Sequence, residues 1–273
     1  MNPTGGPEIV YVRARKVLLD GIEALREHAN SVVLVGAQAI YLHTGEGDLA
    51  VAPYTEDADL ALDPRRLANR PLVEVLLEQA GFVPGTQPGS WQGAYGVPLD
   101  LLVPESLGGG GTRGARIPPH SERVARKARG LEAALVDRSP NRIVALDPED
   151  ARCCTVDVAG PGALLVAKLH KLADRQEAPT RLSNKDALDV YRLLRAISTE
   201  RLAQGLSALE QTELSREVTR VAMTELKALF GAESANGVRM VTEALEPLED
   251  PATVRVACTR LARRLLDRKG MKA

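Results

Sequence analysis

From Ile9 to about His28 apolar residues recur at helical spacing, with Val17, Leu18, Ile22 and Leu25 on one face, which predicts an amphipathic helix. The run SVVLVG predicts a short buried strand that ends in Gly36, and AQAIYLH predicts a short helix directly behind it. After a Gly/Pro-bearing loop to Pro53, DADLALD alternates Asp with Ala and Leu, the period of a strand. Pro64 to Ala80 reads as a second amphipathic helix, opened by proline and closed by Gly81. Two or three strands are expected between Phe82 and Val103, the last being VPLDLLV, and further strands at LEAALVD, NRIVALD and CCTVDVA.

From Pro161 onward the spacing is helical, with breaks at about Glu177 to Ser183, Ser198, Gln211, Gly231 and Pro251. The pattern therefore predicts an α/β domain over residues 1–160 followed by an all-helical C-terminal domain over residues 161–273. Between the strands, LGGGGTRGARIPPH holds four consecutive glycines, which offer no side chains to pack and cost much entropy to order. It reads as a mobile loop.

Composition narrows the function classes. An apolar fraction of 44% against 26% charged suits a globular chain, whereas 3% aromatics leave little material for base-stacking platforms. The formal net charge of −1 hides two basic clusters, Arg113 to Arg129 and Arg255 to Lys272, which acids between Glu200 and Asp250 offset. Cys153, Cys154 and Cys258 fit neither a disulfide framework nor a zinc site. No apolar run reaches the length of a membrane span, and MNPTGGPEIVYV lacks the layout of a signal peptide, so a cytoplasmic location without a membrane partner is expected.

Candidate chemistry centres on the acids of TEDADLALD. Alternation puts Asp57 and Asp59 on one face of a strand, opposite Ala58 and Leu60. Two carboxylates so placed repel unless a cation sits between them, and Mg²⁺ takes hard oxygen ligands while bridging to phosphate. Asp100, alone among apolar neighbours in VPLDLLV, is costly to bury unless paired or bound to metal. Together the three would form a two-metal clamp for a triphosphate and an attacking hydroxyl. A solvated edge strand is the alternative for DADLALD taken by itself.

With these residues in hand, VGAQAIYLHTG followed by TEDADLAL resembles the hG[GS]…DxD signature of polymerase-β-like nucleotidyltransferases. The gap from Gly36 to Asp57, and the later segments PGALLVAKLHKLADR and NKDALDVYRLL, are similar to those of the AbiEii/MenT-type toxin branch. The resemblance covers about residues 30 to 195. It implies a polymerase-β-like core with a mixed sheet, Mg²⁺ or Mn²⁺ as cofactor, a nucleoside triphosphate as substrate, transfer to an RNA such as a tRNA 3′ end, and a cognate antitoxin protein as partner. It also implies that Gly36 and Ala37 border the nucleotide and that Asp57, Asp59 and Asp100 hold the metal. Ala37 stands where the family has Gly or Ser, so that hydroxyl is missing, although backbone N–H groups at a helix start can hold phosphate.

Lys168 falls on the apolar stripe of Leu164, Leu165, Leu169 and Leu172, so it either snorkels to the surface or meets an anion inside; the resemblance makes that anion the triphosphate. His170 and Lys171 lie off the stripe and are expected in solvent. Asp186 follows Ser183 in a capping-box pattern, while the resemblance sets it beside the metal as base or orienter, supported by Asp189. Other readings of the chain are an aminoglycoside-type small-molecule nucleotidyltransferase and a catalytically silent nucleotide- or partner-binding protein.

Overall fold

The first helix, α1 (Pro7–Ala24), buries Ala14, Val17, Leu18, Leu19 and Ile22, as the spacing of its apolar residues requires. A 3-10 turn from Arg26 to Ser31 leads from it into the sheet. The computed structural model describes residues 7–45, 54–111, 113–176, 184–246 and 248–271. Its architecture is α/β, with a mixed eight-stranded sheet and a helical C-terminal region.

The strands are β1 (Val32–Val35), β2 (Ala58–Leu62), β3 (Val83–Pro84), β4 (Ser90–Gln92), β5 (Pro98–Pro104), β6 (Arg126–Ala128), β7 (Arg138–Val144) and β8 (Cys153–Ala159). Their order is β3-β4-β5-β2-β1-β8-β7, and β6 pairs with β5. At the centre β1 runs antiparallel to β2 and parallel to β8, and β2 runs parallel to β5. Strand β1 is buried along its whole length, which explains why VVLV is a continuous apolar run. Helix α1 packs against β2, β5 and β8, and Gly21 is tight against the Leu99 side chain.

Contacts divide the chain into two compact units. One comprises Met1–Ala39, Pro53–Ala128 and Arg138–Ala159 and carries the sheet; the other comprises Ile40–Ala52, Arg129–Asp137 and Gly160–Ala273. The division falls inside α2 (Gly36–Thr44), the short helix behind β1. The second unit packs six helices, α4 (Pro161–Gln176), α5 (Asn184–Ala196), α6 (Thr199–Gln211), α7 (Glu213–Phe230), α8 (Asn236–Leu245) and α9 (Pro251–Arg268). The breaks expected at Ser198, Gln211, Gly231 and Pro251 fall at observed helix ends, and the one expected from Glu177 to Ser183 lies outside the described residues. The Ser198 side chain caps α6, and Asp250 caps α9 ahead of Pro251.

Two expectations are corrected. The helix expected from Pro64 to Ala80 is only α3 (Val73–Gln79). A single turn follows Asp63, whose carbonyl accepts from the backbone of Arg66 and Leu67, and Pro71, which lacks an N–H, stands where a longer helix would need a donor. LEAALVD is no strand but a 3-10 turn at Ala133–Leu135. Its Leu131, Ala133, Ala134 and Leu135 are all buried rather than alternating, and Leu, Ala and Glu favour helical backbone. Where the glycine loop is described, Lys127 Nζ donates to the carbonyls of Gly109 and Gly111, and Arg116 N donates to Gly108 O at 2.8 Å.

Candidate active site

Gly36 is the hinge between β1 and α2, and its φ of 71° is the left-handed backbone that glycine adopts without penalty. Opposite it, the last rung of the β1–β2 ladder joins Val35 to Asp59. The carboxylate of Asp59 fills the space in which a Cβ on Gly36 would stand. On its other side Asp59 is paired in register with Asp100 of β5. Residues directly opposite on neighbouring strands project to the same face, so the two acids share one side of the sheet. Ala58 and Leu60 are fully buried, while Asp57 and Asp59 are half-buried, which is the expected alternation.

Asp57 lies one residue before β2 and is anchored by other means. The hydroxyl of buried Thr55 donates to its Oδ1, and the Gln38 side chain of α2 donates to its carbonyl at 3.1 Å.

Asp100 has a partner that sequence reasoning missed. Arg126 of β6 donates from Nη1 at 2.9 Å and from Nη2 at 2.8 Å, both to Asp100 Oδ2. Neighbouring arginines are likewise engaged. Arg123 donates to the carbonyls of Gly85 and Thr86, Arg113 to Gln87, and Arg116 pairs with Glu122 at 3.3 Å. Arg113, Arg116, Arg123, Arg126 and Lys127 therefore brace the loops around β5 and β6 rather than presenting one open basic face.

Among the described residues no three His, Cys, Asp or Glu side chains are gathered into a group that could hold a metal ion. Asp57 and Asp59 nevertheless suit a hard divalent cation by their oxygen donors, and the absence of a Cβ at Gly36 is what leaves room for the Asp59 carboxylate. At Asp100 a guanidinium supplies the positive charge.

A second charged cluster lies in the helical unit. Lys168 is buried, with its ammonium 2.8 Å from Asp186 Oδ1 and 2.7 Å from Asp189 Oδ2. Of the two expectations for Lys168, snorkelling is excluded, and the anions it meets here are these carboxylates. Arg175 also binds Asp186, and Lys171 approaches it at 3.3 Å. Burial alone would raise the Asp186 carboxyl, but Lys168, Lys171 and Arg175 hold it well below the ordinary carboxylate range. Burial likewise works against the Lys168 ammonium, and Asp189 and Asp186 outweigh it and hold the amine above the usual lysine range. Ser183, the expected cap of α5, lies outside the described residues; Asp186 sits in the first helical turn, where an acid is favoured. His170 is corrected: it is buried, with Nε2 2.8 Å from Val218 O.

Among the described residues no helix is long and apolar enough to cross a membrane. Compared with protein-family models, with curated proteins and with solved structures, the chain matches none.

Proposed function

We propose that the chain is a metal-dependent nucleotidyltransferase that moves a nucleoside monophosphate from a nucleoside triphosphate to a hydroxyl of RNA. The observation that carries this reading is the relation of Gly36, Asp59 and Asp100: a left-handed glycine at a strand-to-helix turn, under a carboxylate that is in register with a second one. Such a turn opens the start of α2 to a phosphate, because the first backbone N–H groups of a helix have no partner within it. Ala37 adds no hydroxyl there, which leaves the backbone to hold the anion.

Asp57 and Asp59 are the residues assigned to the metal, with Asp100 as the third corner. A bound Mg²⁺ or Mn²⁺ would neutralise triphosphate charge and make the acceptor hydroxyl more acidic. In the transfer the acceptor oxygen bonds to the α-phosphorus as the bond to pyrophosphate breaks, and we assign the hydroxyl proton to Asp100, whose orientation Arg126 sets. A triphosphate contact for Lys168, and a role for Asp186 beside the metal, rest on the family resemblance alone, as does an antitoxin partner.

RNA as acceptor is supported by α9, where Arg260, Arg264 and Arg268 recur every fourth residue. All three are exposed and make no hydrogen bond or ion pair among the described residues. Arg264 and Arg268 also border a cavity of about 710 Å³ with Arg195 and Thr199. Guanidiniums free to meet phosphates suit a polyanion better than a cationic drug. The test is incubation with each α-labelled triphosphate and either total RNA or an aminoglycoside. Label in a band of tRNA size supports the reading, and label in the aminoglycoside alone refutes the RNA acceptor.

A further inference from the structure

Two buried polar residues of the sheet unit, Arg15 and Gln38, form a chain of hydrogen bonds that ends on Asp57. Arg15 of α1 and Gln38 of α2 are both almost wholly buried, at 3% and 1% exposure, which for an arginine requires a full set of partners. Arg15 Nε donates to Gln38 Oε1 at 2.8 Å, Nη1 to Val144 O at 2.9 Å and Nη2 to the Tyr11 hydroxyl at 3.1 Å. Gln38 Nε2 in turn donates to Ala14 O and to Asp57 O, both at 3.1 Å.

Each contact determines the next. A guanidinium only donates and a backbone carbonyl only accepts, so the Gln38 amide has one orientation that satisfies all its neighbours. Its NH₂ is thereby pointed at the Asp57 carbonyl. Asp57 lies beyond the last rung of the β1–β2 ladder, so the sheet does not hold its backbone as it holds that of Asp59. The Gln38 amide holds the Asp57 carbonyl instead, and the Thr55 hydroxyl holds the carboxylate.

We infer that Gln38, oriented by Arg15, is a positioning residue for Asp57 as a ligand of the catalytic divalent cation. The inference rests on the function proposed above, in which Asp57 binds metal. Outer partners of metal ligands contribute to affinity by fixing ligand geometry, and their loss costs about 10–100-fold. Gln38 and Arg15 also tie α1, α2 and the approach to β2 into one frame, which limits any spread in the position of the carboxylate.

The discriminating variant is Gln38→Glu. Its carboxylate still accepts from Arg15 but can no longer donate to Ala14 O or Asp57 O, and it sets oxygen against oxygen there. Direct Mn²⁺ binding to the full chain, followed by the loss of free-Mn²⁺ signal without nucleotide, is compared for wild type, Gln38→Glu and Asp57→Asn, alongside melting in metal-free buffer. Expected is measurable binding by wild type, loss in Asp57→Asn, and binding weaker by about tenfold or more in Gln38→Glu. Unchanged Mn²⁺ affinity in Gln38→Glu, with Asp57→Asn impaired, overturns the positioning role and leaves the metal reading intact. No difference between wild type and Asp57→Asn overturns both. If Gln38→Glu fails to fold, Arg15→Lys, which removes the guanidinium fork but keeps the charge, carries the same expectation.

Discussion

The Asp59 carboxylate occupies the place that a Cβ would take on Gly36, and Gly36 holds a backbone conformation that other residues adopt only at a cost. One glycine thus serves the turn and the site together. Gly36→Ala should destabilise the fold by about 1–2 kcal/mol from left-handed strain alone, with a further cost for displacing Asp59. It should also lower turnover by about a hundredfold or more, because misplacing a reacting group by about 1 Å is enough for that. Thermal melting and nucleotide transfer measured on one preparation check this, and a variant with normal transfer would take Asp59 out of the site.

Arg126 and a cation compete for Asp100. Removing the guanidinium in Arg126→Ala leaves Asp59 and Asp100 in register with less to offset their charges, and should cost about 1–3 kcal/mol without metal. Added Mg²⁺ should then raise the melting temperature of the variant more than that of wild type, since it replaces a lost positive charge. Equal Mg²⁺ shifts would separate Asp100 from metal binding.

Much of this was legible in the sequence and some was not, for physical reasons. Glycine, proline and capping residues marked the breaks between the C-terminal helices because they act through local backbone. Alternation marked β2 and set Asp57 and Asp59 on one face of it, and the apolar run SVVLVG marked β1 with Gly36 at its end, because both patterns are local. The Arg126–Asp100 pair was hidden, since it depends on β6 lying beside β5, a long-range pairing that no local pattern encodes. Arg15 sits in VRARK, and its burial follows only from the packing of α1 on the sheet. Lys168 could be given an inward direction by its helical phase, but its partners 18 and 21 positions on could not be read from its own helix. The 131–135 segment misled because a short apolar run looks alike as strand and as buried turn.

Lys168 is the charge that keeps Asp186 and Asp189 tolerable inside the helical unit. Lys168→Met should lower stability by about 3–5 kcal/mol at neutral pH, the cost of leaving buried charge uncompensated. The sign with pH follows from the two shifts. Asp186, held low in the fold, stabilises above the unfolded carboxylate value of about 4 and loses that contribution as pH falls through its native value. Lys168, held high, stabilises below about pH 10 and loses its contribution as pH rises through its native value. The difference between wild type and variant should therefore be flat from about pH 4 to 10 and shrink outside it. Melting curves across that range check it; an unchanged melting temperature with impaired triphosphate binding would instead favour the phosphate contact.

Asp137 should behave in the opposite sense. Its carboxylate lies so close to Gly160 that a Cβ there would strike it, and burial pushes its pKa up against the opposing effects of the Ala163 N–H, His43 and Arg201. A carboxyl raised in the fold favours the native state below the unfolded value of about 4 and loses that contribution as pH rises through its native value. Asp137→Asn keeps an acceptor for Ala163 and removes the titration, so it should melt higher than wild type at pH 7, with the gap closing toward pH 4. A lower melting temperature at pH 7 would mean that the charge is needed.

The function itself turns on whether Asp57 and Asp59 are required for nucleotidyl transfer and dispensable for folding. Wild type, Asp57→Asn and Asp59→Asn are incubated with Mg²⁺, total RNA and a triphosphate labelled at either the α- or the γ-phosphate, and each protein is melted in metal-free buffer. Transfer of α-label but not γ-label by wild type, its loss in both variants, and melting temperatures at or slightly above wild type are the expected result, since each variant removes one of two crowded like charges. Transfer of γ-label, or near-normal α-label transfer by either variant, would contradict it.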